Sequence, residues 1–319
     1  MLKVSRATII AYMAPMLAVI ALINVFPILY TLYVSFTSKS NFHPCPPPTS
    51  DNCTDPYKYV GLDNYTKLLG SFNSDFYYVM GLTILYVIIC VALFLVIGLA
   101  TGMALNNTQI RGLPFWRVML VLPWAVPSAV TALIWKFLFH FDFGPFNQML
   151  RLAFGSQAGV PWLTVPVWAF AATVIVNLWL SFPPWSVIVL GALQSIPQEL
   201  YEAASVDGAN AWQRFRAITL PLLRPAITPF TILSAITTFQ MFNTVYLLLD
   251  LPGGPYTSAL KPGATEFVML YVYINVLGTQ TANRQFGLMG AFAILIFILL
   301  LVATILALRA TNLTKEAQA

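Results

Sequence analysis

Apolar residues run along this chain in long unbroken stretches separated by short polar segments. Six stretches are long enough to cross a bilayer as helices, which takes about 20 apolar residues each. They cover residues 7–36, 78–105, 115–141, 165–193, 226–249 and 286–308. Helices are expected rather than strands, because a continuous apolar run satisfies its own backbone hydrogen bonds, whereas a barrel shows short alternating segments. The expected fold is all-α and polytopic, with about six transmembrane helices.

Composition agrees with that pattern. The chain is 59% hydrophobic and only 8% charged, against about 25% charged in an ordinary soluble domain, and cannot cover itself with polar surface. Lys3 and Arg6 precede the first run as they would in a signal peptide. That run is about twice the length of a signal h-region and lacks a small-x-small exit, so it reads as an uncleaved first span.

The cations set an orientation. With a cytoplasmic N-terminus, the inside collects Lys3, Arg6, Arg111, Arg117, Arg214, Arg216, Arg224, Arg309 and Lys315. The outside holds Lys39, Lys58, Lys67, Lys136, Arg151, Lys261 and Arg284. The inside segments are shorter and carry the higher cation density, as positive-inside topology requires. The expected division is a first helix at 1–36, an extracytoplasmic loop at 37–77, a five-helix core at 78–309 and a cytoplasmic tail at 310–319. The net charge of +5 follows from this asymmetry and calls for no nucleic acid.

Several function classes fall away. No Asp, Glu, Arg or His lies near the middle of a span, so the intramembrane ionisable groups of proton-coupled carriers are missing. No Gly-Lys-[Ser/Thr] sequence exists to build a P-loop, so any energy from nucleotide comes through a partner. A polytopic enzyme needs several catalytic groups at one face, whereas His43 and His140 are the only histidines and are isolated. A channel needs a polar stripe along several spans, and none is evident.

Cys45 and Cys53 share the first outside loop with three prolines between them. Two readings fit: a disulfide closing a short loop, worth about 2 to 3 kcal/mol to that loop, and two free thiols. His43 beside them lacks the regular spacing of a metal site. Cys90 lies inside the second span and reads as packing.

The polar exception is "LYEAASVDGANAWQRFRAITLPLLRP" at 200–225, which places acids and arginines between two apolar runs. Ser195 can cap a helix with Pro197 in its first turn, and Gly208 permits a tight turn into a second helix, whose start Asp207 can cap. There Trp212, Phe215 and Ile218 or Thr219 recur at helical spacing opposite Arg214 and Arg216. Pro221 and Pro225 then stop or bend the chain as it returns to the bilayer. Such a hairpin, spanning 195–225, suits a partner's groove or a bed of lipid headgroups equally.

Glu202-Ala203-Ala204, three intervening residues, Gly208, then Ile218, Leu220 and Pro221 resemble the EAA loop of binding-protein-dependent ABC importer permeases. "LPWAVPSAV" at 122–130, "NLWLSFPP" at 177–184, "FNTVYLLLDLPGGP" at 242–255 and "QFGLMGAFAILIF" at 285–297 resemble, in the same order, segments of the maltose and maltodextrin permease subunits in particular. The first outside loop is shorter than in the best-known relatives, and Pro184 stands where the maltose subunit has an aromatic residue.

The resemblance implies a permease half with the MetI-like core of that family. It also implies a second permease subunit, two ATPase subunits that bind ATP and Mg, and an external solute-binding protein, with no cofactor on this chain. The hairpin would then be the coupling element, through Glu202, Ala203, Ala204, Asp207, Gly208, Trp212, Phe215, Leu220 and Pro221. Other solutes, glycerol phosphate among them, remain alternatives to a sugar.

A substrate site is expected near mid-membrane. Phe239, Gln240 and Asn243 fall on one helical face with Thr237 nearby, and Trp179 and Ser181 precede a break at Pro183-Pro184. An aromatic ring covers the C–H side of a pyranose and an amide serves its hydroxyls. Amides inside spans also bond neighbouring helices, and that reading stays open. Gly98 and Gly102 form a G-x-x-x-G and mark a close helix contact.

Overall fold

The computed structural model describes residues 6–39, 58–70, 75–249, 265–277 and 285–310. His43, Cys45 and Cys53 lie outside these residues. The described elements are helices, with one isolated bridge between Thr37 and Tyr59. Five are long and apolar enough to cross a membrane, and a sixth span exists if one bent pair of helices is counted together.

The chain divides into two compact units. The first comprises residues 1–77 and 272–302. Its opening span is built from α1 (Arg6–Ile20), a π-helical turn (Ala21–Val25) and α2 (Phe26–Ser35). The short α3 (Asp63–Leu69) is tied to the end of α2 through Asn64, whose buried amide donates to the carbonyls of Ser35 (2.8 Å) and Thr37 (3.0 Å). Phe76 meets Phe292 edge-on at 5.0 Å.

The second unit comprises residues 78–271 and 303–319. It contains most of α4 (Asp75–Asn106), then α5 (Leu113–Ala125), α6 (Ser128–Leu138), α7 (Pro145–Phe154) and α8 (Pro166–Gln194). There follow α9 (Gln198–Val206), α10 (Ala211–Arg214), a π-helical turn (Phe215–Thr219), α11 (Leu220–Phe239) and α12 (Asn243–Leu249). Two further helices, α13 (Val268–Leu277) and α14 (Phe286–Ala310), divide between the units, residues 272–277 and 286–302 belonging to the first.

The fourth span packs on the second through the predicted glycines. A methyl group on Gly98 would come within 2.5 Å of Trp185 Cβ, and one on Gly102 within 2.6 Å of a Val189 methyl. Absence of side chains at both positions is what lets α4 and α8 approach. Trp185 is fully buried and donates its indole N–H to Ser234 Oγ (3.1 Å), which adds α11 to the same contact. Tyr86 stacks on Phe267 at 4.3 Å in the same core, and Cys90 is buried there, as packing requires.

Three expectations about the spans are corrected. The stretch 115–141 is not one straight helix: α5 and α6 meet at 94°. Pro127 explains the corner, because its ring disfavours helical geometry in the preceding residue, and Val126 is extended (φ −81°, ψ 131°). The stretch 226–249 is also interrupted. α11 ends at Phe239, residues 240–242 are non-helical, and α12 starts at Asn243. Conversely, Pro183-Pro184 does not break α8, which is continuous over its 29 residues with Phe182, Pro183 and Trp185 buried.

The prolines after the charged hairpin do not stop the chain either. The rod from Ala211 to Phe239 is continuous. Pro221 cannot bond the carbonyl four residues back and crowds it. The π-helical turn just before it, closed by Leu220 N–H to Phe215 O, widens the backbone at that point. The first span repeats the device, with a π-helical turn closed by Phe26 N–H to Ala21 O immediately before Pro27.

Candidate functional site

Both corners in the spans open onto one cleft. The α5–α6 corner (Trp124 to Ser128), one turn of α8 (Asn177, Leu180, Ser181) and the α11–α12 interruption (Thr237 and Gln240 to Thr244) line a volume of about 520 Å³. Side chains that a straight helix would spread along its length are gathered by the breaks into one place. Between the α11 and α12 ends, Gln240 and Asn243 are exposed to the cleft.

The five residues expected at a substrate site separate here. Ser181, Gln240 and Asn243 line the cleft. Phe239 is buried at the last position of α11 and does not line it, so the single helical face shared by Phe239, Gln240 and Asn243 does not exist. Trp179 turns elsewhere, meeting Trp135 at 6.0 Å and Phe182 at 6.1 Å.

The cleft also holds residues the sequence reading passed over. Asn177 is completely buried, accepts the Ser181 hydroxyl at Oδ1 (3.2 Å), and has an amide nitrogen without a hydrogen-bond partner. Its signal was its position one helical turn before Ser181, in a stretch otherwise apolar. Trp124 and Ser128 flank Pro127, whose corner was the readable clue. No ionisable side chain is among the lining residues. The cleft offers amides, hydroxyls and aromatic surface, a set suited to a neutral polyol.

Away from this cleft, α9 and α10 form the predicted hairpin. Gly208 takes φ +78°, a conformation that side-chain-bearing residues resist. Asp207 N–H reaches Ala203 O (3.0 Å) and Ala209 N–H reaches Ala204 O (2.9 Å), closing the end of α9. The caps differ from expectation. Ser195 turns back to the Ala192 carbonyl and ends α8, while Pro197 stands at the start of α9. Asn210, not Asp207, caps α10, with a reciprocal bond pair to Gln213.

Two cross-bonds brace the hairpin: Arg214 Nη1 to Ser205 Oγ (2.8 Å), and Tyr201 hydroxyl with Thr219 Oγ1 (3.0 Å). Thr219 is thereby buried, while Trp212 is 67% exposed and stacks on Phe215 at 5.5 Å. Glu202, Ala203 and Asp207 are exposed, Ala204 and Leu220 half-buried, and Pro221 exposed. Glu202 Oε1 accepts from the neighbouring Gln198 amide (3.0 Å). The hairpin therefore presents a carboxylate and an indole on a braced turn, and its second leg runs without interruption into α11.

Several known proteins are similar to this chain. The maltodextrin transport system permease protein MdxF of Bacillus subtilis is 30% identical over 305 residues, 93% of this chain and 67% of that protein. The maltodextrin permease MalC of Streptococcus pneumoniae is 33% identical over 293 residues, 89% of this chain and 65% of the relative. The chain thus spans about two thirds of the length of these two relatives. The trehalose/maltose permease MalF of Thermococcus litoralis is 33% identical over 304 residues, 95% of this chain and 92% of that protein.

The fold matches that of a bacterial ABC transporter involved in the import of the acidic polysaccharide alginate, with a TM-score of 0.74 at 20% identity, covering 95% of this chain and 94% of that one. Residues 95–315 match the binding-protein-dependent transport system inner membrane component family. With its bent and broken spans, its braced hairpin and relatives matched over nearly its whole length, the chain belongs to that family of multi-pass permeases.

Proposed function

We propose that this chain is the transmembrane subunit of an ATP-driven importer that passes a neutral sugar of the maltose or maltodextrin class from an external solute-binding protein into the cytoplasm. The cleft carries this reading. Asn177, Ser181, Gln240 and Asn243 supply donors and acceptors, Trp124 and Phe242 supply aromatic surface, and no charge lines it. Its volume of about 520 Å³ lies within the roughly 300 to 1,000 Å³ of ligand pockets generally. A phosphorylated solute such as glycerol phosphate would bring a charge that none of these side chains neutralises.

ATP and Mg belong to two partner ATPase subunits, and a second permease subunit completes the pathway. The hairpin at 195–225 faces the cytoplasm with the N-terminus and sits in a cleft of one ATPase. Glu202 meets a cation at the rim and Trp212 and Phe215 fill the groove, with Ala203, Ala204, Asp207, Gly208, Leu220 and Pro221 shaping the turn and its exit. Because the second leg continues into α11, movement of the hairpin reaches the α11–α12 interruption through one rigid rod.

The test is uptake by the assembled importer in proteoliposomes, supplied with its binding protein and ATP inside. Radiolabelled maltodextrins are expected to accumulate and glycerol phosphate is not. Accumulation of glycerol phosphate in preference to the neutral sugars would overturn the proposal.

A further inference from the structure

The helix α7 is built inside out for a water-soluble element. Two of its polar side chains, Asn147 and Arg151, bond the protein, while Gln148 is exposed and donates to the Phe143 carbonyl (3.1 Å). Asn147 is fully buried, donating to the carbonyls of Phe141 (3.2 Å) and Val160 (3.0 Å) and accepting from Val160 N–H (2.9 Å). Arg151 donates to the carbonyls of Asp142 (2.8 Å) and Phe141 (3.0 Å) and lies over the Phe141 ring. The outward side carries Met149, Leu152 and Phe154, of which Leu152 is 88% and Phe154 79% exposed.

We propose that α7 is an interfacial anchor whose outward face beds in the boundary between headgroups and acyl chains, in the leaflet where α6 ends. Three observations select lipid as the occupant. The face continues the apolar flank of a membrane span: Leu133, Ile134 and Phe137 of α6 are exposed, and Phe137 touches Phe143, just before α7, at 5.7 Å between ring centres. The helix also sits beside three tryptophans, a residue enriched at membrane–water interfaces, of which Trp168 is exposed. Trp135, Phe139, Phe146, Trp162 and Trp168 make successive ring contacts of 5.1 to 5.8 Å.

Third, the sole cation on α7 is half-buried and spends its donors on the Asp142 and Phe141 carbonyls, so no charged group stands among Met149, Leu152 and Phe154. An amphipathic helix with such a face lies in the interface plane, its apolar side buried about 5 to 10 Å into the boundary. A soluble partner that docks and departs would leave the same side chains wet between encounters.

The experiment uses the full chain with its co-assembled subunits in proteoliposomes, Cys45 and Cys53 being replaced by serine. A nitroxide is placed at Leu152→Cys, at Met149→Cys and, in the turn beyond the helix, at Ser156→Cys. Its collisions with lipid-soluble oxygen and with a water-soluble nickel chelate are then compared. At 149 and 152 oxygen is expected to exceed the chelate severalfold, with the order reversed at 156. Equal access of the chelate to 152 and 156 would overturn the anchor. So would exclusion of both relaxants from 149 and 152, which means a protein covers the face.

Discussion

Ser181 donates its hydroxyl to Asn177 Oδ1 across one turn of α8, and the buried amide nitrogen of Asn177 has Cys90 and Tyr86 beside it but no well-formed hydrogen bond. A buried, unpaired donor costs roughly 1 to 3 kcal/mol. Here it borders a cleft whose other lining groups suit a sugar, so a substrate hydroxyl reaching Asn177 would recover that cost.

Asn177→Leu is therefore expected to lower sugar uptake per assembled complex about tenfold or more, the equivalent of about 1.4 kcal/mol or more at the site. Stability should fall by only about 1 kcal/mol, since the Ser181 hydroxyl loses its acceptor while a poorly bonded buried amide is removed. Thermal unfolding and uptake, measured on the same preparation, check both halves. Undiminished normalised uptake would remove Asn177 from the site.

Gln240→Leu and Asn243→Leu separate substrate contact from helix bonding. Both residues are exposed to the cleft, so assembly and basal ATPase activity should persist while normalised uptake falls about tenfold. If assembly or thermal stability fails first and transport per complex is unchanged, the amides bond helices and do not bind sugar.

Glu202→Lys is expected to leave the protein inserted and assembled but to uncouple ATP hydrolysis from uptake. The residue is exposed on the hairpin and hydrogen-bonded to Gln198, so its loss disturbs little inside this chain. Hydrolysis and uptake are assayed together in proteoliposomes, and normal coupling at normal expression would exclude the proposed contact.

Gly98→Ala should destabilise without touching the cleft. The added methyl meets Trp185 Cβ at 2.5 Å, with Trp185 itself fully buried, so α4 and α8 must separate. Overpacking of this kind costs about 1 to 3 kcal/mol. The measurement is a lowered unfolding temperature in detergent, beside Gly81→Ala, where nothing lies within 4 Å of the added carbon.

The membrane-spanning class of this protein, the place of its hairpin and the close contact at Gly98 and Gly102 follow from the sequence alone. Each is decided by local composition or spacing: a run of apolar residues has no other stable solvent, a left-handed turn selects Gly208, and two glycines one turn apart leave a groove. The corner at Val126 has a local cause in Pro127, which constrains the preceding residue, yet the apolar run through 115–141 reads as one span and hides it.

The cleft was not legible in the same way. Residues 240–242 contain neither proline nor glycine, and the break there leaves Val245, Leu248 and Leu249 fully buried in α12. Burial of that face, not backbone propensity, decides where α11 stops. The same competition runs the other way in α8, where burial of Pro183 and Trp185 keeps the helix intact through two prolines. Which of Trp179, Ser181, Phe239, Gln240 and Asn243 meet in one place depends on these breaks. A helical register counted along an unbroken span could not supply it, because packing between distant segments sets the register anew on each side of a break.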